Sequence, residues 1–402
     1  MKLSMTARAA EWLDQFEVDD RAGAVALLDA VRFIPGGDVV AGVRRTVERF
    51  IAENGEQLPV ALVPVLSDED LIRPVGAEVE ARATAFIDFD PAQPLANNPG
   101  SEALIAQLIG ELRRSSAAAW IAPTPLTLDE MRDLRVRTLV CITDYVGSGQ
   151  QVLDYVATWY RNTTIKSWCS FGWMKIVVVA YAATLAGKRA LDASKLIQDV
   201  QVVEIVPGIN ELRRAGPEGK AEEVCRVYAK RGKVRPALGH RGSAGLYASS
   251  FSVPNNLPAI LIRRSDRWMP FFDGRSVPAD LADEIGEHRP DADLPGHLEE
   301  AGQLRLAARH RDGYIESRWQ NFVGVLGLLP RPDEELALAL GLDLRAIRDV
   351  LESLERLSLI DGSRAVTPAG RRELAAQRRK ARSGASVLTP PDPSPYYPRY
   401  TR

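Results

Sequence analysis

Between Arg137 and Val206 the chain alternates strand-like and helix-like segments, and this alternation restricts the fold more than any other feature. "RTLVCIT" (137–143), "KIVVVAYA" (175–182) and "VQVVEIV" (200–206) are nearly continuous apolar runs rich in Val and Ile. Between them lie "QQVLDYVATWYRN" (150–162) and "TLAGKRALDA" (184–193), with apolar residues at helical spacing. Strands alternating with helices predict βαβ units and a parallel sheet. Strands of such a sheet are covered on both faces, which is why they lack the polar alternation of half-exposed strands. "LPVALVPVL" (58–66), ending in the acidic "SDED", reads as a further buried strand, and "TAFIDFD" (84–90) as another. "PAQPLANNPG" (91–100) reads as loop, and "SEALIAQLIGELRRS" (101–115) as a helix with Ser101 as its N-cap.

The first of the three strands leads into "TLVCITDYVGSGQQVLDYV" (138–156). The order strand, acid, glycine-rich turn, helix suits an anion. Gly147 and Gly149 allow backbone angles that other residues resist, so successive N–H groups can turn toward one phosphate. Ser148 adds a hydroxyl, and a helix starting near Gln151 presents its N-terminus. Asp144, at the strand's C-terminal end, lies where open parallel sheets bind ligands. It can accept from sugar hydroxyls or help to hold a hydrated Mg²⁺. The pattern is neither GxxxxGK[ST] nor GxGxxG.

"LVCITDYVGSGQQ" resembles the phosphoribosyl-diphosphate (PRPP) motif of type I phosphoribosyltransferases: four hydrophobic residues, two acids, then a small-residue loop with a closing Thr. The resemblance implies that Gly147, Ser148, Gly149, Gln150 and Gln151 hold a 5′-phosphate. It also implies that Asp144 holds the ribose hydroxyls and is the catalytic residue. This sequence departs from the motif. Thr143 stands in place of the first acid, Gln151 in place of the closing hydroxyl, and Gly147 where some members carry a general base. A wider resemblance spans roughly residues 8–275. "WLDQFEVDDRAGAVALLDAVRFI", "DYVGSGQQ" and "VPNNLPAIL" with Trp268 are similar to phosphoribosyltransferase-like proteins of bacterial conflict and antiphage loci. That likeness implies a role in defence.

Around these motifs the chain divides into four expected parts: a helical segment (1–55), an α/β phosphoribosyltransferase-like domain (56–310), a winged helix-turn-helix (311–380) and a Pro/Arg-rich tail (381–402). In the first, "AAEWLDQF" and "RAGAVALLDAVRFI" read as helices, "PGGD" (35–38) as a break, and "VVAGVRRTVERFIAEN" as a helix. Residues 208–310 read as irregular, with a weak strand at "PAILIRR" (258–264). There, Asn255 and Asn256 between two prolines are candidate ligand contacts or an Asx turn ordering a loop. "GHRGSAG" (239–245) reads as a basic lid or a plain flexible loop. Trp268, Phe271 and Phe272 are expected in the core.

At the C-terminal end, "DEELALALG", "LD" and "LRAIRDVLESLERLSLI" have helix-turn-helix spacing, "DGSRAVTPAG" suits a small wing, and "RRELAAQRRK" a final helix. This resembles the winged helices of bacterial regulators, so DNA or a protein partner is expected there. From Arg364 to Arg402 nine Lys/Arg face two acids, which favours phosphate contacts. Arg345, Arg348 and Arg356 are offset by Asp349, Glu352 and Glu355, which favours a protein.

The whole chain carries a net charge of -2, so no global pull toward nucleic acid operates. Its three cysteines and four histidines show no metal-ligand spacing. "MKIVVVAYAATLAG" is short of the about 20 residues that span a bilayer, and the N-terminus turns polar early. The expectation is a cytoplasmic protein without membrane contact.

Overall fold

The computed structural model describes residues 2–55, 58–66, 101–115, 120–122, 127–212, 218–277, 281, 284–288 and 290–378. The readings made for "SDED" (67–70), "TAFIDFD", "PAQPLANNPG" and the tail lie outside these residues. The chain forms two compact units: Met1–Ala292 with Asp333–Ala346, and Asp293–Pro332 with Ile347–Arg402.

The first unit opens with α1 (Ala7–Leu13), α2 (Val18–Asp29), β1 (Arg32–Ile34) and α3 (Gly36–Glu53). Its main sheet is parallel, with β2 (Val60–Pro64), β3 (Thr138–Val146), β4 (Lys175–Ala183) and β5 (Asp199–Ile205) side by side in that order. Val60 pairs with Thr138, Thr138 with Lys175, and Val177 with Asp199. Every residue of β2 and β3 is buried, as their apolar runs predict. Val39 and Val43 of α3, and Ile105 and Ile109 of α4 (Ser101–Leu112), share one core with Val140 and Val177 of the sheet. Between the strands run α5 (Leu128–Asp133), α6 (Gln150–Arg161), α7 (Thr163–Ser170) and α8 (Leu185–Asp192).

A second parallel pair joins β1 to β6 (Tyr247–Ser249), with Arg32 opposite Tyr247. The helical reading of "RAGAVALLDAVRFI" is corrected here: α2 stops at Asp29 and Arg32–Ile34 is strand. Its main-chain partners come from a segment far along the chain, and local periodicity carries no record of them. "PGGD" does not delay the next helix, because Gly36 and Gly37 form the first turn of α3 behind Pro35.

The stretch 208–310 is also more regular than its composition predicts. It contains α9 (Ala221–Arg231), and "PAILIRR" holds a helical turn, α10 (Ala259–Ile262), in place of the expected strand. All four α10 residues are buried. A turn surrounded by core on every side has no polar face, so its sequence looks like a buried strand. Beside it, Trp12, Phe16, Tyr228, Trp268 and Phe271 pack on one another edge to face or tilted. The indole N–H groups of Trp12 and Trp268 both donate to the Ile260 carbonyl, at 3.3 and 2.7 Å. Trp268, Phe271 and Phe272 are core residues, as expected.

Toward the C-terminus follow α11 (Leu294–Glu300), α12 (Leu304–Arg311), α13 (Ser317–Leu328), α14 (Asp333–Leu340), α15 (Leu344–Arg356) and α16 (Pro368–Gln377). Ile360 and Val366 form an antiparallel bridge, the narrow base of a wing. Thr367 caps α16 by accepting from the Gly370 N–H. No helix among the described residues is long and apolar enough to cross a membrane.

Candidate functional site: a glycine turn at the C-terminal edge of the sheet

β3 is longer than the run "RTLVCIT". It continues through Asp144 and Tyr145 to Val146, so Asp144 is held within the ladder. The turn Gly147–Ser148–Gly149 follows at once, and α6 begins at Gln150. Gly149 has φ 79°, a left-handed conformation that favours glycine. Gly147 needs its missing side chain for a different reason. A methyl group there would collide with the carboxamide of Asn256.

The start of α8 braces the turn. The Thr184 hydroxyl donates to the Gly147 carbonyl at 2.7 Å and accepts from the Gly187 N–H at 2.9 Å. Gly187 has no room for a side chain against that same carbonyl. The N–H groups of Gly147, Ser148 and Gly149 have no hydrogen-bond acceptor among the described residues. The Gln150 N–H makes a long 3.4 Å bond to the Ser148 hydroxyl. Three unbonded donors at a helix N-terminus, with no acid in the first turn of α6, suit an anion. The side chain of Gln150 is occupied elsewhere, donating to Asp154 at 2.7 Å, while that of Gln151 is exposed.

Asp144 is 5% exposed. Burial pushes its carboxyl above the ordinary value of 3.8, because removing water penalises the charged form. Hydrogen bonds from the Ser101 hydroxyl and the Tyr145 N–H pull the other way. Ser101 is the first residue of α4. Thr143 is buried too, with its hydroxyl 3.4 Å from the Tyr145 carbonyl. Arg275 lies within electrostatic reach of Asp144, and its Nε donates to the Val253 carbonyl at 2.9 Å. Neither of these two neighbours was legible as part of the site. The one signal for Ser101 is its place at the head of a helix, and Arg275 has none.

Of the asparagine pair, Asn256 lies against the glycine turn, and Asn255 is tied to it through the loop that carries both. The Asn256 amide donates to the Ser243 hydroxyl at 2.7 Å, and the Asn255 carbonyl accepts from the His240 N–H at 2.9 Å. Gly239, at φ 71°, is pressed against the Asn256 carbonyl. The segment "GHRGSAG" is therefore tied to the asparagine pair at several points. Gly245 lies over the hydroxyl of Tyr145 so closely that no side chain fits. That hydroxyl is buried without a hydrogen-bond partner among the described residues, and its ring stacks on Tyr247 at 4.7 Å and 8°.

The three motifs quoted from the sequence are linked in space. Trp12 and Phe16 pack on Trp268, and Asn256, three residues before α10, reaches the glycine turn. A family model described as PRTase-CE matches residues 9–273, well over half of the chain. The chain belongs to the PRTase-CE family. A second model, described as wHTH-PRTase associated, matches residues 324–400. The PRTase-CE match contains Ser101, β3, the glycine turn, α6 and Asn256. The second covers α14, α15, the wing bridge and α16, and bears out a C-terminal winged helix. No curated protein and no solved structure matches the chain.

The described residues around Asp144 do not suit direct ligation of Mg²⁺. Among the described residues no three His, Cys, Asp or Glu side chains gather into a metal site. Asp144 offers one buried carboxyl whose burial favours the neutral form. Mg²⁺ requires octahedral oxygen ligands and compensation of its charge, and one such carboxyl supplies neither.

Proposed function

We propose that this phosphoribosyltransferase-like protein binds PRPP or a nucleotide at the glycine turn. The observation that carries the reading is the set of three N–H groups, at Gly147, Ser148 and Gly149, that have no acceptor among the described residues, at the N-terminus of α6. In this reading the turn and the Ser148 hydroxyl take the 5′-phosphate. Asp144, at the end of β3, takes the ribose hydroxyls, its carboxyl oxygens accepting from them. Asn256 forms the wall beside the phosphate. Mg²⁺, where needed, would enter already chelated by the ligand's diphosphate. With PRPP, transfer would break the bond from the anomeric carbon to diphosphate, which leaves with the bonding pair, through an oxocarbenium-like centre beside the ribose hydroxyls that Asp144 holds, while the turn's N–H groups stay on the 5′-phosphate. The likeness of three motifs to proteins of bacterial conflict loci supports a role in defence against phage or other invaders.

A second reading is a nucleotide sensor without turnover, reporting through the winged helix. Two observations favour it: Thr143 stands where the motif has an acid, and burial drives Asp144 toward its neutral form. The exposed face of α15 carries Arg345, Arg348 and Arg356 against Asp349, Glu352 and Glu355. Its balanced charge favours a protein partner over a DNA backbone.

Calorimetric titration with PRPP and a nucleotide panel, with and without Mg²⁺, tests the cradle. The wild type is expected to bind at least one of these ligands. Ser148→Ala combined with Gly149→Ala, which removes a hydroxyl and strains φ 79°, should weaken that binding by about tenfold or more. Silence of the folded wild type toward the whole panel would overturn the assignment. Single-turnover release of diphosphate from PRPP then separates the enzyme from the sensor.

A further inference from the structure

The N-terminal edge of the sheet carries a feature the cradle does not use. Phe171 and Trp173 are 68% and 58% exposed, and their rings stack on one another with centroids 5.2 Å apart and planes 25° from parallel. The turn between them builds this arrangement. The Gly172 N–H donates to the Cys169 carbonyl and the Trp173 N–H to the Trp168 carbonyl, at 3.0 and 2.9 Å. Gly172 sits at φ 69°, with nothing near its Cα to exclude a side chain. The glycine serves the backbone angle of the turn that joins the two rings. A third exposed ring, Trp120 at 50%, precedes Ile121, which bridges Val60 at the start of β2 on the same edge. The core does not explain large aromatics held in water, and exposed apolar surface of this kind marks an interaction site.

The surroundings are cationic. Lys175 opens β4 two residues after Trp173, and its N–H donates to the Arg137 carbonyl at 2.9 Å. Arg135, Arg137, Lys166 and Lys175 are exposed, and none forms an ion pair with an acid among the described residues. Of the acids on the neighbouring elements, Asp129 is engaged by Arg132 and Asp199 by the amide of Gln201, which leaves Asp133 as an exposed acid against four exposed cations. From Tyr155 to Leu191 the sequence contains no Asp or Glu. In a chain of net charge -2, a basic surface with exposed rings is a local arrangement.

We propose that this edge binds a single-stranded nucleic acid, with bases stacking on the Phe171–Trp173 pair and phosphates meeting Arg137, Lys175 and Lys166. Aromatic faces accept any base, and cations without acidic partners track the backbone. Charge complementarity selects this occupant: a protein partner would have to supply an acidic face, whereas a nucleic-acid strand brings a phosphate with every base. The site lies at the N-terminal ends of β3 and β4, roughly 30 Å along the strands from the glycine turn. It therefore stands or falls separately from the nucleotide reading.

The test is fluorescence anisotropy of labelled oligouridylate and oligodeoxythymidylate with the full-length protein over a salt series. Trp173→Ala with Phe171→Ala should lower affinity by about tenfold or more, while Trp173→Phe, which keeps a ring, should retain most of it. Arg137→Ser with Lys175→Ser should lessen the slope of log affinity against log salt by about 1.4, two phosphate contacts' worth. All four positions are exposed, and unchanged thermal unfolding identifies intact variants. Absence of oligonucleotide binding by the wild type would overturn the proposal. So would binding that survives loss of both rings. Sedimentation of wild type and double-alanine variant covers the remaining case: a dimer that dissociates on removing the rings would make this edge a contact between copies and defeat the proposal.

Discussion

Asp144 carries the clearest consequence at the scale of one residue. Its folded pKa lies above the ordinary 3.8 because burial disfavours the carboxylate. The native state therefore holds its proton more tightly than the unfolded chain does. Stability from this group is complete below 3.8 and is lost as pH rises through the folded value. Asp144→Asn keeps the shape and removes the titration. The variant should melt higher than the wild type at about pH 8, and the difference should vanish as pH falls below 3.8. Scanning calorimetry across that range checks the sign. A variant that melts lower at every pH would show that the hydrogen bonds from Ser101 and Tyr145 outweigh burial. A buried carboxyl that stores such a cost is the pattern expected where function, rather than stability, selects the residue.

At the scale of elements, the turn after β3 and the loop carrying Asn256 constrain each other. Gly147 can approach Asn256 because it lacks a Cβ, and Asn256 is in turn fastened to Ser243. Gly147→Ala should cost about 1–3 kcal/mol by overpacking. Asn256→Ala should cost about 0.5–1.5 kcal/mol for the lost hydrogen bond. Combined, they should cost less than the sum, since the alanine at 256 vacates the space the alanine at 147 needs. Urea unfolding of the three variants measures the coupling, and strict additivity would mean the two loops do not support one another. This contact also gives a reason for a glycine where the resembling motif of some enzymes has an acid: the Asn256 amide fills that volume.

On the largest scale, a buried cation reinforces the joint between the two sheets of the first unit, beside the stack of Tyr145 on Tyr247. Arg32, on β1, donates to Glu204 of β5 at 2.6 and 3.1 Å, and to Glu287 at 2.6 Å. It also donates to the carbonyls of His288 and Phe33, at 2.8 and 3.1 Å. Glu204 is buried as well. Removing the cation of such a pair leaves a buried carboxylate without that counter-charge, which costs far more than the intact pair contributes. Arg32→Met should destabilise the protein by about 3–5 kcal/mol, read as a fall in the urea midpoint. Arg32→Met with Glu204→Met should recover a good part of it.

How much of this was legible beforehand follows from the range of the interactions. The parallel sheet was readable because strands covered on both faces must be apolar without interruption, and β2, β3, β4 and β5 all appear as such runs. The glycine turn was readable because φ 79° at Gly149 and a helix N-terminus leave a local signature. The C-terminal helices and wing were readable from their spacing. What the chain could not disclose by itself was every feature set by a partner distant in sequence. Arg32 looks like the end of a helix until β6 and Glu204 are beside it. "PAILIRR" looks like a strand until core surrounds α10 on all sides. Asn256 looks like an Asx turn, or a ligand contact, until Gly147 is found against it. Periodicity and turn chemistry act over a few residues and are written in order along the chain. Burial, close approach and charge pairing are decided by the fold, which alone brought Ser101, Asp144, Gly147 and Asn256 to one edge of the sheet.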